Sequence, residues 1–250
     1  MNLGTPIATG NTAQIYLYEN KIVKVFEGSH PDTASSYEAN KQKLAYSCGL
    51  PVPKIFELTT VEGKQAIIME FIKGKTLGDM LAENKDNAEY YMNLSIDIQQ
   101  SIHTIAPDTL EPMAAKLSRQ IETANQLDKR QKHSLLQQLD MMTYENRLCH
   151  GDFHLFNLIM SDNNNVTIID WVDASAGDIR ADVYRTYLLY SQFSSALADM
   201  YLQLYCKKSG ISQQEIFQWA PIIAGARLSE NVSSENSERL LKIVSDYSPL

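Results

Sequence analysis

The apolar positions fall into short β-rich runs early in the chain and into a three-to-four spacing later on. Ile15-Tyr16-Leu17-Tyr18 and Ile22-Val23-Lys24-Val25-Phe26 read as two strands joined by a turn at Glu19-Asn20-Lys21. A helix is predicted over 31–48, with Asp32 as its cap and Gly49 as its stop. Strands follow at 54–58 and 65–71, separated by the turn Glu62-Gly63-Lys64. From Leu77 to Thr143 the pattern turns helical, with Tyr90, Tyr91, Leu94, Ile98 and Ile102 in register. Further helices are predicted at 114–125 and 129–143, and closing helices at 181–190, 195–207, 212–229 and 235–246. Between them, Val166-Thr167-Ile168-Ile169 reads as a buried strand that enters a loop at Asp170.

Composition narrows the function classes. The chain has 250 residues, 44% of them hydrophobic, which suits one large domain or two modest lobes with a real core. The formal charge of −8 argues against a nucleic-acid footprint and favours a cationic small-molecule partner. Cys48, Cys149 and Cys206 form no CxxC pair, as expected in a reducing compartment. No signal-peptide pattern opens the sequence, and no apolar run reaches the roughly 18 residues needed to span a bilayer. The expectation is a cytoplasmic protein with no membrane partner.

The chemistry concentrates between Leu148 and Asp182, in LCHGDFHLFNLIMSDNNNVTIIDWVDASAGDIRAD. Asp152 is followed five residues later by Asn157, and Asp170 ends the apolar run. This pattern suits Mg²⁺-ATP phosphoryl transfer. One carboxylate takes the proton of an attacking hydroxyl, and a neutral oxygen and a second carboxylate hold the metal against the phosphates. The Asp-to-Asn spacing equals that of the protein-kinase catalytic loop, with Gly151 in place of the usual Arg and Trp171 in place of Phe after the metal Asp. Each residue alone has a plainer reading: Asp152 as a loop carboxylate, Asn157 as an Asx-turn residue, Asp170 as a strand-end turn. Gly74-Lys75-Thr76 imitates a P-loop end, but Met69 occupies the required glycine position, and Thr76 is better read as a helix cap.

HGDFHxxN followed by IDWxxAxxGDxxxD resembles the aminoglycoside phosphotransferase/choline kinase family of small-molecule kinases. The resemblance runs in order over residues 5–182 and is specific only at 148–182. It implies an α+β, bilobal, protein-kinase-like fold: a small N-terminal sheet lobe with one helix (1–72) and a larger, mainly helical catalytic and acceptor-binding lobe (73–250). It implies ATP and Mg²⁺ as cofactors, Asp152 as catalytic base, and Asn157 and Asp170 as metal ligands. It also implies that Lys24 grips the α/β-phosphates rather than facing solvent, the commoner fate of a strand lysine. Glu38, fourteen residues on, is the favoured partner for Lys24, against a plain surface carboxylate. The loop Thr9-Gly10-Asn11-Thr12 would cover the phosphates, and Glu70 (C=O) and Ile72 (N–H) would meet the adenine edge. His103 and His150 carry structural roles. Asp178 is expected to receive hydrogen bonds from the catalytic loop, and Asp182 to complement a helix dipole. Asp178 follows Asp170 by only eight positions, which leaves no protein-kinase activation segment and points to a small acceptor. The tyrosines at 184, 187, 190, 201 and 205 read as core.

Two other readings compete. A metal-dependent hydrolase would use His150, Asp152, His154 and Asp170, but leaves Asn157, Lys24 and Glu38 unexplained. A catalytically silent, kinase-like nucleotide-binding module would bind Mg²⁺-ATP without transfer.

Overall fold

The computed structural model describes residues 3–10, 12–27, 33–232 and 234–247; Asn11 of the early loop, and Pro31 and Asp32 at the start of the first predicted helix, lie outside them. In chain order the strands are β1 (Ala8–Thr9), β2 (Ala13–Tyr18), β3 (Lys21–Phe26), β4 (Ile55–Val61), β5 (Lys64–Glu70), β6 (Lys75–Thr76), β7 (Arg147–Cys149), β8 (Leu158–Met160), β9 (Val166–Ile168) and β10 (Ser175–Gly177). The helices are α1 (Ala34–Ser47), α2 (Leu77–Glu83), α3 (Ala88–His103), α4 (Met113–Thr123), α5 (Lys129–Met141), α6 (Ile179–Phe193), α7 (Ser195–Ser209), α8 (Gln213–Phe217), α9 (Ala220–Leu228) and α10 (Ser237–Tyr247). Two compact units result. The first comprises the chain up to Glu83 with Phe156–Asp173, and the second Asn84–Leu155 with the chain from Ala174 onwards.

The first unit is built on an antiparallel sheet of order β1-β2-β3-β5-β4. The β2–β3 and β4–β5 hairpins each turn on two residues with positive φ: Glu19 (48°) with Asn20 (59°), and Glu62 (52°) with Gly63 (79°). That is the primed turn geometry whose twist matches the flanking strands. Lys21 therefore belongs to β3, paired with Tyr18, rather than to the turn. The period of two along β3 and β5 sorts side chains between the sheet faces. Phe26, Ile67 and Met69 join Ala39 of α1 in one buried cluster, while Val23, Val25, Ala66 and Ile68 join Val61 in another. Lys24 shares its parity with Ile22 and Phe26, so the sequence aims it at α1.

A smaller sheet of order β6-β8-β9 completes this unit. Thr76 caps α2, its Oγ1 accepting from the Asp79 N–H at 3.0 Å. Of the run predicted as a buried strand, only Ile168 is buried within β9; Val166 and Thr167 are half-exposed. Gly74 sits tight against β8, where a Cβ would lie 2.2 Å from the Met160 carbonyl oxygen. That neighbour is backbone paired to Lys75 and cannot swing aside. Gly74→Ala should destabilise the protein by about 1–3 kcal/mol, read as a lowered thermal midpoint.

The second unit is mainly helical, with the two-stranded pair β7-β10 inside it. The helix predicted over 212–229 is two helices. Pro221 stands in the first turn of α9, where its missing N–H is no loss, and α8 stops before it. Every residue of α9 is buried, as its nearly uninterrupted apolar sequence requires, and it packs on α4, α5, α6 and α10. Tyr184, Tyr190, Tyr201 and Tyr205 are core. No helix of the described residues is long and apolar enough to cross a membrane.

Candidate active site

Within the first unit, three charged residues from distant parts of the sequence meet. The Lys24 Nζ lies 2.7 Å from Glu38 Oε1 and 3.2 Å from Asp170 Oδ1. The side chains of Lys24 and Glu38 are 10% and 2% exposed, whereas that of Asp170 is 39% exposed. A strand lysine facing solvent is thus ruled out. Burial works to lower the Lys24 pKa, but Asp170 and Glu38 outweigh it and hold the ammonium charged. Burial pushes the Glu38 carboxyl up, and the Lys24 charge only partly opposes this because Asp170 and Asp173 add negative charge nearby. Glu38 Oε2 is buried without a hydrogen-bond partner among the described residues. Such an arrangement is not assembled for stability, since desolvating the charges offsets their attraction.

Asp170 adopts φ of 64°, the left-handed region, where Asp is tolerated better than most residues. The turned backbone costs on the order of 1–3 kcal/mol and lifts the carboxylate off the end of β9 towards Lys24. Asn157 lies at the same open end of the β8–β9 hairpin. Leu158 pairs with Ile168, and the Ile169 N–H donates to the Asn157 carbonyl at 3.0 Å. One hairpin therefore carries both predicted metal ligands, and Asn157 is buried, 7% exposed. An amide oxygen and an exposed carboxylate beside further negative charge are hard donors, and they fit Mg²⁺ that keeps some of its waters.

The remaining nucleotide-side residues are also in this unit. At Glu70 the N–H donates to the Lys54 carbonyl at 2.9 Å, and the side chain accepts from the Lys54 N–H at 3.1 Å. Ile72 follows β5 in a half-buried, irregular segment. In the early loop, the Gly10 N–H is engaged by Ala13 O at 2.9 Å.

Asp152 belongs to the second unit, on the loop after β7. Its side chain is 26% exposed, and Oδ2 lies 3.5 Å from His154 Nε2. Burial works to raise its carboxyl, but His154, Arg185 and His150 prevail and hold it well below the usual carboxylate range. The group is ionised at neutral pH, the state a proton acceptor needs.

The loop is held from beneath by Asp182. Gly151, at φ of 81°, donates its N–H to Asp182 Oδ1 at 2.7 Å. Asp182 Oδ2 takes His103 Nε2 at 2.9 Å and Gln99 Nε2 at 3.0 Å. A neutral His103 therefore carries its proton on Nε2 and accepts from the Tyr205 hydroxyl at Nδ1, 3.1 Å away. Burial opposes ionisation of Asp182, yet these donors keep its pKa lowered. The roles expected of the two GDxxxD carboxylates are exchanged. Asp178 caps α6 through the Arg180 N–H at 2.8 Å and receives Trp219 Nε1 at 2.9 Å, while Asp182 grips the catalytic loop.

Arg185 was not anticipated, although a charge three residues after Asp182 in an apolar helix was a signal. It is 8% exposed, acts on the charge of Asp152, and is held by Glu230 Oε2 at 2.9 Å. Glu230 also binds Arg227, which reaches Glu235, which pairs with Arg239. Glu230 is thus tied into a ladder of alternating charge.

Among the described residues one group of side chains has the spacing for a metal ion: His103, Cys149 and Asp182. Burial pushes the Cys149 thiol well up, so it stays protonated, and the other two are hydrogen-bonded to each other.

The family model described as the phosphotransferase enzyme family matches residues 4–220. The chain belongs to this family. Membership makes it an ATP-dependent phosphotransferase, and solved structures agree on the protein-kinase-like α+β fold. Choline kinase LicA from Streptococcus pneumoniae is 16% identical with a TM-score of 0.67, over 96% of this chain and 92% of that one. The apo form of a thermostable mutant of aminoglycoside phosphotransferase APH(4)-Ia is 14% identical with a TM-score of 0.70, over 96% and 93%. Another mutant of that enzyme, in a ternary complex with ADP and hygromycin B, gives 14% identity and a TM-score of 0.69 over 96% and 92%. No curated protein sequence matches the chain.

Proposed function

We propose that this phosphotransferase moves the γ-phosphate of ATP to a hydroxyl or amine of a small acceptor. Asp152 takes the acceptor proton as the new bond to phosphorus forms and the β–γ bridging bond breaks, releasing ADP. Lys24, fixed by Glu38, holds the α/β-phosphates, and Glu70 C=O and Ile72 N–H pair with the adenine edge. Asn157 and Asp170 would hold Mg²⁺, which supplies charge neutralisation at the phosphates. In this reading the nucleotide lobe, 1–72, works with the β8–β9 hairpin that carries the metal ligands, and 73–250 supplies the base and the acceptor site.

The observation that carries the reading is the meeting of Lys24, Glu38 and Asp170, separated by 14 and 146 positions in sequence. A buried lysine shared by two carboxylates, one of them exposed and set by a left-handed backbone, is costly structure with an evident use at phosphates. The ADP and hygromycin B bound by the APH(4)-Ia mutant lend support to a nucleotide and a small acceptor. A cationic acceptor rests on the net charge of −8 alone.

The test is ADP release by purified protein with Mg²⁺-ATP against amino-sugars, aminoglycosides, choline-like amines and small hydroxylated metabolites. Release with one acceptor supports the reading and names the substrate class. Metal-dependent nucleotide binding with no release for any acceptor would favour a silent module. No nucleotide binding would sink the proposal.

A further inference from the structure

The buried face of α1 is mixed rather than wholly apolar. Beside Ala39 and Ala45 it carries Ser35, Glu38, Lys41 and Gln42. Each fixes the helix to a different part of the first unit. Ser35 Oγ donates to Gln65 Oε1 of β5 at 2.9 Å, and Gln42 Nε2 to the Pro53 carbonyl at 2.7 Å. Glu38 receives Lys24 of β3. Lys41, one turn after Glu38, reaches the loop beyond β9, its Nζ donating to the Val172 carbonyl at 2.7 Å. Apolar packing tolerates sliding and rotation, whereas directional bonds fix a helix in both senses.

We infer that Lys41 is a positioning residue for the metal-ligating loop. It holds the backbone two residues beyond Asp170, so that this segment is fixed at two points, by Lys24 of β3 at the Asp170 carboxylate and by Lys41 of α1 at the Val172 carbonyl. The inference rests on the reading of Asp170 as a metal ligand. Three observations carry it. Lys41 is only 4% exposed, so its ammonium is committed to this place. The Tyr37 ring lies 3.9 Å from its Nζ and steadies the charge from another side. The segment it holds contains the left-handed φ of Asp170, a conformation that persists only when its surroundings impose it. Without the Lys41 bond, the segment is free to relax from the strained turn and the carboxylate loses its aim.

The test separates metal affinity from folding and from turnover. Mn²⁺ binding to the protein with AMP-PNP is followed by the electron paramagnetic resonance of free Mn²⁺, for the wild type, Lys41→Met and Lys41→Arg. Lys41→Met should weaken Mn²⁺ by about 10- to 100-fold, the usual effect of removing a group that orients a ligand. Metal-free nucleotide affinity should not change, and Lys41→Arg, which keeps a donor and a charge, should recover part of the loss. A lowered thermal midpoint with unchanged Mn²⁺ affinity would overturn the inference and leave Lys41 as a structural residue. Should Lys41→Met not fold, Tyr37→Leu removes only the ring that steadies the ammonium. Weaker Mn²⁺ binding there supports the inference, and unchanged binding overturns it. If the wild type binds AMP-PNP but takes up no Mn²⁺, the metal-ligand reading itself falls and this inference with it.

Discussion

Asp152→Ala should lower turnover by about 10²- to 10⁴-fold while leaving the affinity for Mg²⁺-nucleotide unchanged. The split follows from where the groups lie. Lys24, Glu38, Glu70, Ile72, Asn157 and Asp170 all belong to the first compact unit, and Asp152 to the second. The variant keeps every side chain assigned to the nucleotide. The residual rate reflects positioning and charge neutralisation, which the variant keeps. The pH profile carries a second expectation. Asp152 must be ionised to accept a proton, and its carboxyl is held below the ordinary range by His154, Arg185 and His150 against the effect of burial. The acid limb of kcat/KM due to this group should fall below the ordinary aspartate range. Nucleotide calorimetry beside a steady-state pH profile checks both statements. Full turnover in Asp152→Ala would remove Asp152 from the chemistry.

Asp182→Ala should cost about 3–5 kcal/mol of stability, because several buried donors lose their acceptor at about 1–3 kcal/mol each. Asp182 is 1% exposed, and its loss leaves the Gly151 N–H, His103 and Gln99 without their acceptor. The measurement is the urea midpoint with its slope. The pH dependence gives an independent check. The Asp182 pKa is lowered in the folded state. Its contribution is therefore complete above the unfolded-state carboxylate value and is lost as pH falls through the folded value. The wild type should lose stability along that acid limb, and the variant should lose less. Because Gly151 precedes Asp152 directly, the folded fraction of the variant should also turn over more slowly. A midpoint unchanged from the wild type would show that the other contacts of the loop suffice.

The sequence by itself determined most local elements and the candidate groups of the site. Turn residues able to take positive φ set the β2–β3 and β4–β5 hairpins, and the period of two along β3 turned Lys24 towards α1. The five-residue step from Asp152 to Asn157 and the strand ending in Asp170 named the chemistry, because donors on one short segment keep their spacing in any fold. Pro221 also stood in plain view as the break between α8 and α9, but a helical pattern on both sides of it concealed the break.

What the tertiary structure decided is which long-range partner each charged group meets. Asp178 caps α6 and Asp182 lies in its first turn, but only the packing of α3 and of the loop after β7 gives Gly151, His103 and Gln99 to Asp182, and only the packing of the residue before α9 gives Trp219 to Asp178. Arg185 and Lys41 were overlooked for the same reason. A buried cation is stable only beside partners far away in sequence, and its spacing from nearby residues carries no trace of them. The partner of the Asp170 carboxylate belongs with these, since Lys24 lies 146 positions away and meets it only when the chain has folded.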